Sequence, residues 1–141
     1  MRAAADAAGL VCPPEWRHGI LRENQPLARS LARLLASGAD RPEAIVVTDD
    51  NLAGAVAAGL DDAGVPDDGV LLVCHANFPH LPPVRRPVTW LGTDLLAIWE
   101  TALALMEQQR AGAPAPPHIV PPRFAEEAST RSVPVPLPEE A

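Results

Sequence analysis

The 141-residue chain carries a formal net charge of −7, and all eleven of its basic residues are Arg. A chain of this length forms one domain and buries roughly two-thirds of the surface it exposes when unfolded. Its acidic balance, with no basic cluster larger than Arg85–Arg86, opposes contact with a phosphate backbone, and the absence of Lys excludes Schiff-base chemistry and the P-loop lysine.

The first segment, "MRAAADAAGL", reads as the end of a helix, short for an isolated one, with Gly9 as its C-terminal stop. Pro13 and Pro14 then mark a connection that leads toward a short strand near Arg17–Leu21. "NQPLARSLARLLASG" predicts an amphipathic helix. Leu27, Leu31, Leu34 and Leu35 supply its apolar stripe, Pro26 its first turn and Gly38 its stop.

Ala44–Thr48 is a continuous apolar run of the kind found in parallel strands covered on both faces. The helix after it has Leu52, Val56 and Leu60 as its stripe, Asp50 as N-cap and Gly64 as its end. Val70–Cys74 repeats the buried-strand signature, which makes strand, helix and strand a βαβ unit. "PHLPPVRRP" is an irregular crossing to a further strand, Val88–Leu91. A second long helix begins near Asp94 and ends before Gly112. Its apolar stripe comprises Leu95, Ile98, Trp99, Ala102, Leu103 and Met106, with Trp99 expected in the core. A last strand is expected through Ile119–Val120 and around Phe124. The prolines and terminal acids of 131–141 predict an extended tail outside the 1–130 domain.

The fold class is therefore α/β: an open, mainly parallel sheet with helices on both faces. Ligands of such sheets bind beyond the carboxyl ends of the strands. Asp49 and Asp50 follow one strand, His75 to Asn77 follow the next, and Leu91 to Thr93 follow a third. Capping explains Asp50, whereas Asp49 is expected to face the rim. His75 is either a pH-sensitive ligand contact or an idle loop histidine. Trp90 either stacks on a ligand or covers the sheet. A phosphoryl-accepting acid pair would need a compensating Lys, which the chain lacks. Cys74 and His75 are strand neighbours that point to opposite faces, so they form no thiol–base dyad. Cys12 and Cys74 match no metal spacing, and neither do the histidines. Neither an enzyme, a metal nor a cofactor is expected. No segment reaches membrane-spanning length and no signal-peptide core opens the chain, so a cytoplasmic location is expected.

Several motifs in order resemble the C-terminal subdomain of the effector-sensing region in lactose-repressor and purine-repressor type transcriptional regulators. "AIVVTDDNLAGAVAAGLDDAGV" matches a strand followed by "ND" and a helix, and "VPDDGVLLVCHANFP" matches "VP-acidic…VSVVGFDD" and a proline. "PVTWLGTDLLAIWETALALMEQ" is similar to "PLTTVRQD" with its helix, and "PPRFAEEAST" to the closing "PP-x-hydrophobic…EST". The resemblance implies half of a type I periplasmic-binding-protein fold. It also implies one wall of a cleft for a small polar effector, a sugar or nucleoside-like metabolite. The family's helix-turn-helix and N-terminal subdomain are not matched, so no direct nucleic-acid contact by this chain is implied. Its "ND" falls on Asp49 and Asp50, the two Asp of "GFDD" on Ala76 and Asn77, and the Gln of "RQD" on Thr93. Asp49, Asp50, Asn77 and Thr93, with His75 and Trp90, are the candidate ligand contacts; Ala76 lacks the acceptor that the family has there. Homodimerisation is also implied, with the small-residue surface of Ala53, Val56, Ala57 and Leu60 a candidate interface. The alternative is a non-sensing interaction module whose rim is vestigial.

Overall fold

A computed structural model describes residues 2–125, so the 131–141 tail and the 130/131 boundary lie outside the described residues. Four strands, β1 (Ala44–Val47), β2 (Leu71–Phe78), β3 (Thr89–Asp94) and β4 (Arg123–Phe124), form one sheet in that order. β1, β2 and β3 are parallel, and β4 joins β3 antiparallel. The helices are α1 (Arg2–Ala7), α2 (Gln25–Ser37), α3 (Ala53–Asp62) and α4 (Leu95–Arg110). The fold is thus the expected α/β class with an open, mainly parallel sheet.

Local sequence accounts for most helix ends. Pro26 lies in the first turn of α2, and the Asn24 side chain accepts a hydrogen bond from the Leu27 amide at 3.3 Å. Gly9, Gly64 and Gly112 adopt left-handed φ values of 68°, 69° and 74° just beyond α1, α3 and α4, a conformation that costs an L side chain but not glycine.

The core differs from the expected leucine stripe. α2 turns Ala28, Ala32 and Ala36 inward, while Leu27 and Leu34 are 48% and 70% exposed and Leu31 and Leu35 are half-buried. The reason lies in α3. A Cβ on Gly59 would stand 2.2 Å from the Arg29 carbonyl oxygen and 2.9 Å from the Ala32 Cβ. Helices this close admit only small side chains between them. Arg29 secures the same crossing from outside, with its Nε and Nη2 donating to Asp62 at 2.6 and 2.7 Å. Ala53, Val56, Ala57 and Leu60 are all buried in this core, so α3 does not offer them as an interface.

β2 alternates as its period requires: Leu72, Cys74, Ala76 and Phe78 are buried, and Leu71 and His75 are exposed. Ala28, Ala32, Val47, Leu52, Val56, Leu72 and Cys74 form one cluster under α2 and α3, and Leu60, Val65, Val70 and Ala36 form a second.

The β2–β3 connection, 79–88, contains no helix. It turns at Pro79, where the His80 amide donates to the Asn77 carbonyl at 3.2 Å, and bends at Arg85–Arg86; its four prolines oppose a helix, and Val84 and Val88 pack on the core. Arg86 fixes its far end. Its Nη1 donates to Asp61 at 2.8 Å and to the Val65 carbonyl at 3.0 Å, and its Nη2 donates to the Pro66 carbonyl at 2.7 Å. A buried guanidinium therefore joins the crossing to the end of α3.

Other expectations are corrected. Residues 17–21 form no strand; a 3-10 turn at Pro14–Trp16 precedes them, and Ile20 packs against the core as coil. Ile119 is 86% exposed and lies outside β4. β2 continues to Phe78 and β3 to Asp94, past the expected ends at Cys74 and Leu91. Trp99 is 66% exposed, because α4 departs from the end of β3 and buries none of its residues. No helix among the described residues is long and apolar enough to cross a membrane.

Candidate functional site

Strand register decides which candidate residues meet. β1 ends with Val47 opposite Cys74, while β2 and β3 run on together to Phe78 opposite Asp94. The chain leaving β1 therefore passes alongside the last residues of β2. There Asn77 Nδ2 donates to Asp50 Oδ2 at 3.4 Å, and on its other side Asn77 is in register with Thr93. Asp50, Asn77 and Thr93 form one row across the carboxyl edge, all half-buried.

The two acids exchange their expected roles. A 3-10 turn, Asp50–Leu52, is inserted before α3, which moves the cap back by one residue. Asp49 Oδ1 accepts from the Asn51 amide at 3.1 Å, and Asp50 is left to face Asn77. The Asn51 side chain donates to Asp49 at 2.8 Å and to Asp50 at 3.2 Å. One amide group thus holds both carboxylates, and the Asn51 carbonyl accepts in turn from Gln25 of α2 at 3.4 Å. Asn51 was not singled out by sequence; its place after two acids at a strand end was the available signal.

His75, Asn77 and Thr93 lie on the same sheet face, since alternate residues of a strand share a face and registered partners do too. His75 is exposed and opposite Leu91, two residues short of the row. Trp90 registers with Cys74 on the other face, where it packs on the core. The structure therefore brings Asp49, Asp50, Asn77 and Thr93 together, places His75 beside them and separates Trp90. Asp94 ends the edge; it is 3% exposed and its carboxylate accepts from the Ala97 amide at 3.2 Å, capping α4.

Gly92 sets the spacing behind this edge. A Cβ there would approach the Ala76 carbonyl oxygen to 1.8 Å, so only glycine permits the contact between β2 and β3. A lone glycine inside the strand pattern "VTWLGTD" was the sequence signal for it.

The acids act beyond their hydrogen bonds. Burial, and secondarily the charges of Asp50 and Asp49, push the Cys74 thiol up to about 12. Its Sγ donates to the His75 carbonyl at 3.3 Å. Such a thiol stays protonated and is a poor nucleophile at neutral pH. Among the described residues no group of three or more His, Cys, Asp or Glu could hold a metal ion. A shallow groove of about 210 Å³ lies at the opposite, amino end of the strands, between Asp67–Asp68 and Pro87–Thr89. It shares no residue with the rim.

The row offers carboxylate oxygens as acceptors, and an amide and a hydroxyl that both donate and accept. That combination suits hydrogen bonding to hydroxyl-bearing molecules. No protein-family model matches the chain, and no curated protein matches it.

Proposed function

We propose that this chain is the effector-binding part of a repressor-type transcriptional regulator, acting in the cytoplasm as one of a pair of copies. Its carboxyl edge is one wall of a cleft for a small polar metabolite, a sugar or nucleoside. The observation that carries this reading is the row of Asp50, Asn77 and Thr93 on adjoining strand ends, where open parallel sheets hold their ligands. A polyol presents hydroxyls that donate to Asp50 and exchange hydrogen bonds with Asn77 and Thr93. His75, on the same face, is a further donor. Asp49 supports the site by holding the turn rather than by touching ligand.

A second reading, a protein-interaction module with an idle rim, is favoured by the apolar residues that α4 leaves exposed. Thermal unfolding in the presence of neutral sugars and nucleosides separates the two. A ligand at a hundred times its Kd stabilises by about 2.7 kcal/mol, which raises Tm by roughly 5–15 °C in a domain of this size. Asp50→Ala and Asn77→Ala should abolish the shift while retaining the folded circular-dichroism spectrum. Asp49→Ala is unsuitable, because it also removes the cap. If no metabolite shifts the folded protein, the sensing role is lost and the interaction module stands.

A further inference from the structure

α4 is the least buried long element of the fold. Trp99 is 66% exposed, Leu103 and Met106 are each 58% exposed, and Ile98 is 37% exposed. At 100° per residue Trp99, Leu103 and Met106 fall within one narrow stripe of the helix. The half-buried residues Ala97, Thr101 and Leu105 lie on another side, where the Thr101 hydroxyl donates to the Ala97 carbonyl at 2.7 Å. Trp99, Leu103 and Met106 therefore form a continuous ridge that the described residues leave uncovered. The exposed leucines of α2 differ: Leu27 and Leu34 are only two, on a helix that also carries Arg29 and Arg33.

We infer that the α4 ridge is the interface between two copies of this chain, crossing antiparallel about a two-fold axis near Leu103. The inference rests on the paired state just proposed and names its surface. Three observations support a second copy as the occupant. The α3 surface, the other candidate, is consumed by the chain's own core. The area is appropriate: Trp99, Leu103 and Met106 expose on the order of 400 Å² of apolar surface, and a standard interface buries about 800 Å² per partner, a little over half of it apolar. The ridge is also complementary to itself. In an antiparallel crossing the Trp99 ring of one copy meets Met106 of the other, a favourable sulfur–aromatic contact, while Ala102 leaves room for the partner's helix near the axis.

The test is sedimentation of the full chain at tens of micromolar, for wild type and for Trp99→Glu with Leu103→Glu. Dimeric wild type and a monomeric, normally folded double variant are expected, with dissociation at least a hundredfold stronger, the scale of a central aromatic at an interface. In a Cys12→Ser background, Leu103→Cys should form a disulfide between copies on oxidation, while buried Cys74 stays reduced. A variant that remains dimeric, or a Leu103→Cys chain that does not cross-link, overturns the ridge as the interface and leaves the paired state to another surface. A monomeric wild type overturns both. If removal of 126–141 then produces a dimer, the ridge belongs to the chain's own last segment. A metabolite-induced Tm shift is read separately, so the sensing proposal stands or falls independently of this result.

Discussion

Replacing Arg86 by Met keeps a flexible apolar stem in the crossing but removes the guanidinium. The side chain is 2% exposed and makes three hydrogen bonds, two of them to the carbonyls of Val65 and Pro66. Once the donors are gone, the Val65 carbonyl loses its side-chain donor in a buried site, at about 1–3 kcal/mol, whereas the exposed Pro66 carbonyl keeps the Gly69 amide at 2.9 Å and loses little. The Asp61 carboxylate is another matter. Its side chain is 50% exposed, so it rehydrates and the loss of its ion pair costs little. The cost is about 1–3 kcal/mol, a sizeable share of the roughly 5–15 kcal/mol that stabilises a domain. Urea denaturation followed by circular dichroism should show a lower midpoint with an unchanged slope. Arg86→Lys should fall between the two, since an ammonium cannot reproduce the planar fork that reaches both carbonyls and Asp61. Asp61→Asn should cost within about 1 kcal/mol. Arg86 is not the anchor of the crossing if Arg86→Met costs less than about 1 kcal/mol, and carbonyl satisfaction is not its basis if Asp61→Asn costs as much as Arg86→Met. The second outcome would mean that the charge pair, rather than carbonyl satisfaction, holds the crossing.

The α2–α3 crossing supplies two more predictions. Gly59→Ala should destabilise by about 1–3 kcal/mol despite the better helix propensity of Ala, because its Cβ meets the Arg29 carbonyl. Gly54→Ala, whose Cβ would stand 3.8 Å from its nearest neighbour, should be neutral or slightly stabilising in the same urea titration. Hydrogen bonding to Arg29 holds the Asp62 carboxyl below its ordinary range, so near pH 4 the unfolded state binds more protons than the folded one. The stability this pair adds is therefore present above pH 4 and lost as the pH falls through the lowered folded value; the difference in urea midpoint between wild type and Asp62→Asn should shrink on acidification.

The parallel strands and their connecting helix are legible in the sequence because two β-branched runs flank a helix with a clear stop at Gly64. What pattern misses is how near the elements approach. The leucines of α2 form the stronger apolar stripe, yet Gly59 draws the helix in until only Ala28, Ala32 and Ala36 fit, and the leucines turn outward. Periodicity records which face is apolar and says nothing of the separation between helices. The acid pair is misread for a related reason. An Asp before a helix signals a cap, but one extra 3-10 turn moves the helix start and transfers that role to the neighbouring Asp. Arg86 is invisible for a third reason: half of an Arg pair reads as surface charge, and only the prolines around it hint that the segment lies against the core.

The rim depends on the same contacts that fix α3. Asp49, Asp50 and Asn51 occupy the turn that opens this helix, so the helix carries the acids to the edge of β2. Gly59 sets its distance from α2, and Arg86 anchors its far end through Asp61 and the Val65 and Pro66 carbonyls. The tie across the rim is weaker, with Asn77 to Asp50 at 3.4 Å, near the outer limit for a hydrogen bond. The acids are thus held firmly to α3 and lightly to the sheet. A ligand spanning Asp50 and Thr93 would gain by replacing this long bond with shorter ones, and little protein structure would have to be broken to admit it. Asn77→Ala should then weaken ligand binding far more than it weakens folding, whereas Arg86→Met should do the reverse.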